Sequence, residues 1–463
     1  MKFLLSEDYC LRGWKNMPYA LCSNDFAIRP VPIPKELCDL LSEPFDFDGR
    51  NPVIGSLYDQ GIIRPCFIGD GLSESQRYYD YGCLHFDSVI FSITGKCNYK
   101  CMHCSVFAPS DPMGEISFGK ICDILDQMKE CGLNNIVMIG GEPLIRKDFL
   151  EVVDAVTERN MRIAQIFTNG SLITEQLLDA LAERGLDKTL FMLSFDGVGF
   201  HDAMRGIKGA EENFYKKIDL LSSKGFPIAC NMCVTKESIH SLWDTIRYLA
   251  DHNVTSLTVY PPASCGLWKT KNDELGASTD LVADVYEKVI EDFVSDNYPL
   301  DLNLYGLAYF DSRMKKFVIA PKWRTRKAGA DRSNACVTFT QELNISPEGI
   351  LSPCYAMMSE QFVRKEMPDL NKMTLREALT DSPFTRLVEL TVQDIKDHNP
   401  ECAECEYIEI CGCGCRMQAF EETGDFMGID PRSCEFFKGG GMDRFRAAAR
   451  KGAAKREEAR KDV

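Results

Sequence analysis

The chain has 463 residues, with 53 lysines and arginines against 69 aspartates and glutamates, and a formal net charge of −16. A composition 45% hydrophobic and 26% charged is that of a folded chain with apolar surface enough for more than one core. The acidic balance argues against a general nucleic-acid binder, which carries a basic stripe. The opening Met1-Lys2-Phe3-Leu4-Leu5-Ser6-Glu7-Asp8 is cut by acidic residues too early for a signal peptide. No apolar run is long enough to span a bilayer, so a cytoplasmic protein with no membrane partner is expected. In a reducing cytosol, 21 cysteines read as metal ligands or chemistry before they read as disulfides.

In chain order, residues 1–86 form a small αβ module. Tyr19–Cys22, Phe26–Val31 and Gly61–Arg64 read as strands, and Lys35–Leu41 and Pro52–Gln60 as helices. The pattern then changes. Ser88–Thr94, Asn135–Ile139, Arg162–Thr168, Thr189–Phe195, Pro227–Thr235 and Ser256–Tyr260 read as buried strands. Amphipathic helices at Ser117–Cys131, Asp148–Arg159, Thr174–Arg184, Glu211–Lys224 and Ser238–Asp251 alternate with them, several opening on a Ser, Thr or Asp cap. Strand–helix units in series predict parallel strands with right-handed crossovers, hence an α/β fold with a partial (β/α)6 TIM-like barrel over residues 87–290. In such barrels the chemistry sits at the C-terminal ends of the strands. Residues 291–335 read as a bridging segment, 336–437 as a cysteine-rich domain, and 438–463 as a basic tail, solvated or disordered.

Cys97, Cys101 and Cys104 form C-x3-C-x2-C directly after the first barrel strand. Three thiolates can hold three irons of a cubane and leave the fourth open to a small ligand. A zinc site using the adjacent His103 fits the same spacing. Gly140-Gly141-Glu142-Pro143 follows the second strand and Thr168-Asn169-Gly170 the third. Ser194-Phe195-Asp196-Gly197 follows the fourth, with His201, Asp202 and Arg205 downstream. Together these motifs resemble the radical S-adenosylmethionine (radical SAM) family over residues 87–262. The resemblance implies a [4Fe–4S] cluster on Cys97, Cys101 and Cys104 whose open iron binds S-adenosylmethionine. It places the Gly140–Pro143 loop at the methionine amine, Ser194 and Arg205 at polar and carboxylate contacts, Asn169 at the ribose and His103 against the adenine. Asp196 and Glu142 join this cofactor-binding set. The implied chemistry is reductive cleavage to a 5′-deoxyadenosyl radical, which takes hydrogen from an unactivated carbon.

A second cysteine series begins at Cys336, followed after twelve intervening residues by Gly349 and after four more by Cys354. Cys402, Cys405, Cys411 and Cys415 follow as C-x2-C-x5-C-x3-C, and Cys434 closes the series. Taken alone, the segment could equally be a zinc ribbon. It resembles the SPASM extension of radical enzymes that modify peptides. That resemblance implies one auxiliary cluster on Cys402, Cys405, Cys411 and Cys434, and a second on Cys336, Cys354 and Cys415, for three [4Fe–4S] clusters in all. The second would have an open iron or a ligand from elsewhere, with Cys413 and Cys265 as candidates. Cys230 and Cys233 share C-x-x-C spacing, but residues three apart on a strand point to opposite faces. They read as core, with Cys122 and Cys131.

The N-terminal module resembles, on Lys35–Leu41, Phe47-Asp48-Gly49 and Gly61–Arg64, the winged-helix domain with which peptide maturases hold a leader peptide. The resemblance therefore implies a maturase that abstracts hydrogen from a precursor peptide carrying a leader. It would install a ring or crosslink by net oxidation, with an electron donor such as flavodoxin or ferredoxin. Formylglycine formation on a sulfatase, peptide epimerisation with Cys265 as catalytic hydrogen donor, and small-molecule dehydrogenation are the alternative enzyme readings. A multi-cluster electron carrier or a peptide-binding scaffold is the non-enzyme one.

Overall fold

A computed structural model describes residues 2–24, 29–106, 113–262, 264–296, 298–305, 307–319 and 331–461. All six expected barrel strands are present: β1 (Ser88–Ser92), β2 (Asn135–Ile139), β3 (Arg162–Thr168), β4 (Leu190–Ser194), β5 (Ile228–Cys233) and β6 (Val254–Tyr260). They are parallel and pair in chain order. The crossovers are α1 (Phe118–Glu130), α2 (Phe149–Thr157), α3 (Glu175–Glu183), α4 (Ala210–Ser223) and α5 (Leu242–Asp251).

Local sequence explains these elements. In α1 the Ser117 side chain accepts from the Lys120 amide, while Ile121, Ile124, Leu125 and Met128 bury one face at helical spacing. In β4 the period is two: Phe191 and Leu193 join the main core, while Ser194 lines the cavity inside the sheet.

The sheet extends beyond these six strands. After α6 (Thr279–Asp296), β7 (Asp301–Leu304) adds parallel to β6, and β8 (Ala308–Asp311) and β9 (Lys316–Ile319) continue antiparallel. On the opposite edge, β10 (Glu342–Ile345) pairs parallel with β1, and β11 (Leu351–Ser352) closes a hairpin with it. The result is one sheet of 11 strands in which eight consecutive strands are parallel. The stretch expected to bridge two domains is therefore partly sheet, and the cysteine-rich region begins as the other sheet edge.

The N-terminal module has its own core around Leu4, Leu5, Leu41 and Ile63. Lys2–Leu5 is the central strand of three, flanked by Phe45–Asp46 and Ile63–Pro65, with helices Lys35–Leu41 and Pro52–Asp59 alongside in a winged-helix-like arrangement. A four-stranded sheet built on the hairpin Tyr9–Trp14 and Met17–Ser23 joins the module to the barrel. There Trp14 Nε1 donates to the Cys131 carbonyl at 2.9 Å. The strand expected over Phe26–Val31 falls largely outside the described residues; Val31–Pro32 is a short strand.

The tail is a helix docked along one face and solvated along the other. Helix α7 (Gly441–Ala459) packs Met442, Phe445, Ala448 and Gly452 inward, facing α6. A Cβ on Gly452 would stand 2.3 Å from the Glu291 carbonyl, so glycine is what lets the two helices approach. Arg444 pairs with Asp284 and Glu287, and Lys455 with Glu291. The dense charges on the outer face conceal this apolar stripe in the sequence.

Candidate active site

The C-terminal ends of β1 to β6 surround a cavity of 270 Å³. Cys97, Cys101 and Cys104 enter it from the loop after β1. His103 joins them from the same loop, Gly140, Gly141, Asn169, Ser194 and Arg205 line it from the ends of β2 to β4 and the segments that follow them, and Cys265 from the segment after β6. Ten residues singled out in the sequence thus meet in one place.

Glu142, Pro143 and Asp196 lie behind the wall and are fully buried. Glu142 accepts from Thr168 Oγ1 at 2.7 Å, the Asn169 amide at 2.7 Å and the Leu144 amide at 3.1 Å. It fastens the loop after β2 to the loop after β3. Burial, which these hydrogen bonds only partly offset, pushes its carboxyl up to about 7. Asp196 holds Arg205 through an Nε–Oδ2 contact of 2.7 Å and receives the Cys233 amide at 3.2 Å. Burial disfavours its charge, but Arg205, His103 and His201 outweigh that and lower its pKa. Arg205 Nη1 lies 3.6 Å from Cys101 Sγ, so the guanidinium bridges Asp196 and the cysteine loop.

The glycine loop is set by close backbone approach. A Cβ on Gly140 would stand 2.5 Å from the Thr94 carbonyl, and one on Gly141 would stand 2.2 Å from that of Lys96. Gly141 and Glu142 donate to those same carbonyls at 2.8 Å. The loop therefore lies flat against the strand end that carries the three cysteines.

The donor set suits an iron–sulfur cluster with a small-molecule ligand. Three thiols share one cavity wall, and burial drives that of Cys97 up to about 12, so ionising it calls for a bound cation. Arg205 offers a guanidinium beside them, and His103 Nδ1 is buried on the cavity wall with no hydrogen-bond partner among the described residues.

Cys233, Tyr99 and Tyr355 are wall residues that went unrecognised in the sequence. Cys233 lines the cavity, although it read as core, and its side chain hydrogen-bonds Tyr260. Its sulfur lies with His103 and Asp196, ligand-type atoms all within 4.8 Å of one another. Cys230 does belong to the core. Tyr99 and Tyr355 complete the set. Tyr355 directly follows Cys354, packs with Cys97 and Cys104, and donates to the Gly140 carbonyl at 3.3 Å. The cysteine-rich region thereby reaches into the barrel mouth.

The cysteines of the C-terminal region form two groups. Cys402, Cys405, Cys411 and Cys434 line a second, small cavity. Cys413 lines it too, at a left-handed φ of 68° between Gly412 and Gly414. Cys413, a candidate for the group of Cys336, Cys354 and Cys415, thus stands on the cavity of the other four cysteines, where the tight turn through two glycines sets it. Burial first, then the charges of Cys415 and Cys336, raises the Cys354 thiol well above its ordinary range. Cys265 is pushed up to about 12 by burial, then by Glu421 and Glu360, with Cys104 and Cys415 adding to the rise. Lys269, in the turn that Cys265 opens, reaches Glu421 at 3.1 Å. Among the described residues no helix is long and apolar enough to cross a membrane.

Comparison with known proteins agrees with this geometry. Residues 91–249 match the radical SAM superfamily, and residues 336–406 match SPASM, an iron–sulfur cluster-binding domain. The fold is similar to Streptococcus suis SuiB bound to its precursor peptide SuiA, with a TM-score of 0.66 at 16% identity, covering 94% of this chain and 100% of that one. Among curated proteins, an AdoMet-dependent heme synthase of Methanosarcina barkeri is 24% identical over 74% of this chain and 95% of its own. A PqqA peptide cyclase of Granulibacter bethesdensis is 26% identical over 74% of this chain and 86% of its own. The chain therefore carries a radical SAM domain followed by a SPASM iron–sulfur cluster-binding domain.

Proposed function

We propose that the protein is a radical SAM peptide maturase that modifies a residue of a precursor peptide and closes a ring or crosslink there by net oxidation. The observation that carries this reading is the cavity itself, where Cys97, Cys101 and Cys104 share a wall with Tyr355 of the cysteine-rich region. The peptide is favoured over a small molecule by the N-terminal module. The likeness to SuiB spans 94% of the chain, too much to leave that module out, whereas the curated relatives span 74%.

Three [4Fe–4S] clusters fit the cysteines: one on Cys97, Cys101 and Cys104, one on Cys402, Cys405, Cys411 and Cys434, and one on Cys336, Cys354 and Cys415. When bound and reduced, the first cluster with S-adenosylmethionine supplies a 5′-deoxyadenosyl radical able to remove hydrogen from a carbon centre. The chain's residues bind and orient. The glycine loop offers its backbone to the methionine amine, Arg205 faces the carboxylate, Asn169 meets the ribose, and Ser194 and His103 complete the pocket. The aromatic wall of Phe167, Tyr260 and Tyr355 limits water around the reacting carbon. An electron donor of the flavodoxin or ferredoxin kind supplies reductant.

A second reading is redox-neutral inversion of a residue, favoured by the Cys265 thiol on the cavity wall. Burial and two nearby carboxylates hold it protonated, as a hydrogen donor must be. One experiment tests both: anaerobic incubation of a candidate precursor peptide with enzyme, reductant and S-adenosylmethionine, in water and in deuterium oxide, read by mass and fragmentation. Loss of two hydrogens per site supports the ring or crosslink. Gain of one deuterium at a backbone carbon supports inversion. Unchanged peptides from every precursor sharing the gene's neighbourhood, alongside brisk 5′-deoxyadenosine formation, overturn the peptide reading.

A further inference from the structure

Arg416 directly follows Cys415 and is only 1% exposed, yet among the described residues no carboxylate lies within ion-pair reach of it. Its hydrogen bonds go to neutral carbonyls: Nη1 donates to Phe426 and Gly428 at 2.8 Å each, and Nη2 donates to Cys413. Nε is buried with no hydrogen-bond partner among the described residues. Asp430, the buried acid nearby, spends its oxygens on the Cys415 amide at 2.8 Å and on Ser433 at 2.6 Å. A guanidinium buried without an anion carries a desolvation penalty of several kcal/mol that carbonyl dipoles only partly repay.

Its position suggests the missing countercharge. Cys415, its chain neighbour, belongs with Cys336 and Cys354. Cys413, its hydrogen-bond partner, lines the cavity of Cys402, Cys405, Cys411 and Cys434. After burial, Arg416 is the largest influence on the Cys402 thiol, and its charge also acts on Cys336. The arginine thus stands between the two cysteine groups.

We infer that Arg416 is a positioning residue for both auxiliary clusters: it is their buried counterion and holds their reduction potentials up. The inference rests on the proposal that both cysteine groups carry clusters. A thiolate-bound cluster is anionic and gains a further negative charge on reduction. A fixed cation in a low dielectric stabilises the reduced form more than the oxidised one. An auxiliary cluster so biased accepts an electron from a substrate radical more readily, as net oxidation requires.

The test is anaerobic redox titration of the reconstituted protein, followed by electron paramagnetic resonance, for wild type, Arg416→Lys and Arg416→Gln. Iron is counted in each, and Cys97→Ala is added throughout to silence the first cluster. Arg416→Gln is expected to lower the reduced-to-oxidised ratio of an auxiliary cluster about tenfold at fixed potential, a shift of 59 mV for one electron. Arg416→Lys, which keeps the charge but not the planar fork, is expected to stay near wild type. Equal potentials in all three proteins overturn the inference, as does a lysine variant shifted as far as the glutamine one. Should glutamine prevent cluster assembly, retention of iron by lysine supports the counterion role, and loss from both overturns it. Absence of auxiliary signals from wild type would instead remove the cluster proposal on which the inference stands.

Discussion

Tyr355 donates its hydroxyl to the Gly140 carbonyl at 3.3 Å, joining the segment after Cys354 to the glycine loop after β2. These residues are 215 positions apart, and the contact makes the cysteine-rich region part of the radical SAM cavity wall. If the loop meets S-adenosylmethionine as proposed, Tyr355→Phe should weaken binding of that ligand by roughly 2- to 12-fold, the worth of one hydrogen bond. Equilibrium dialysis measures this. Unchanged affinity would mean that the hydroxyl does not set the loop.

Asp196 and Arg205 form a buried ion pair at 2.7 Å. Asp196→Asn leaves the guanidinium without its counter-charge, which costs about 3–5 kcal/mol in such sites. Arg205→Met with Asp196→Asn should recover part of that stability, because neither charge is then stranded, while S-adenosylmethionine binding stays lost. Thermal unfolding of the single and double variants, with a binding assay, separates the two roles.

Two histidines away from the cysteine loops are buried in the neutral form. Burial first, then Arg29, holds His85 down to about 4; burial first, then Arg205, holds His201 down to about 3. The unfolded chain takes up protons below the ordinary histidine pKa of about 6.5, while the folded one does not until far lower. Stability should therefore fall as the pH drops from about 6.5, by up to about 1.4 kcal/mol per unit for each histidine. Glu142 acts oppositely, because its raised carboxyl favours the folded state as pH falls below about 7. Burial raises Asp87, Glu342, Glu348 and Glu421 as well, and these act with Glu142. The histidine contribution is therefore read by difference: denaturant titrations at pH 7 and pH 5 should show a less favourable change on acidification in the wild type than in His85→Gln, and an equal change would mean that His85 is not held neutral.

The six parallel strands were legible because each carries a hydrophobic run or a period of two and ends on a polar, chemically informative loop. Strands β7 (Asp-Leu-Asn-Leu) and β10 (Glu-Leu-Asn-Ile) were not, because each is four residues long and joins the barrel strands through a parallel partner distant in the chain. Cys233 shows a subtler limit. Its face was correctly opposed to that of Cys230, but at the C-terminal end of a barrel strand the inner face is the cavity wall rather than core. Tyr355 gave no signal beyond standing next to Cys354.

Gly452 gives a local stability test. Gly452→Ala places a Cβ against the Glu291 carbonyl and should undock α7 from α6 at a cost of about 1–3 kcal/mol. Hydrogen exchange should then speed up across Gly441–Ala459 while β1 to β6 stay protected. Unchanged exchange would mean that the helices shift apart without penalty.

The most direct measurement of the central claim is 5′-deoxyadenosine formed by the anaerobically reconstituted, reduced protein supplied with S-adenosylmethionine, beside Cys97→Ala reconstituted in parallel. The expected result is steady formation by the wild type and none by the variant, with the iron of the other cysteine groups retained in both. No 5′-deoxyadenosine from a wild-type protein whose first cluster is visible by electron paramagnetic resonance would contradict the radical mechanism.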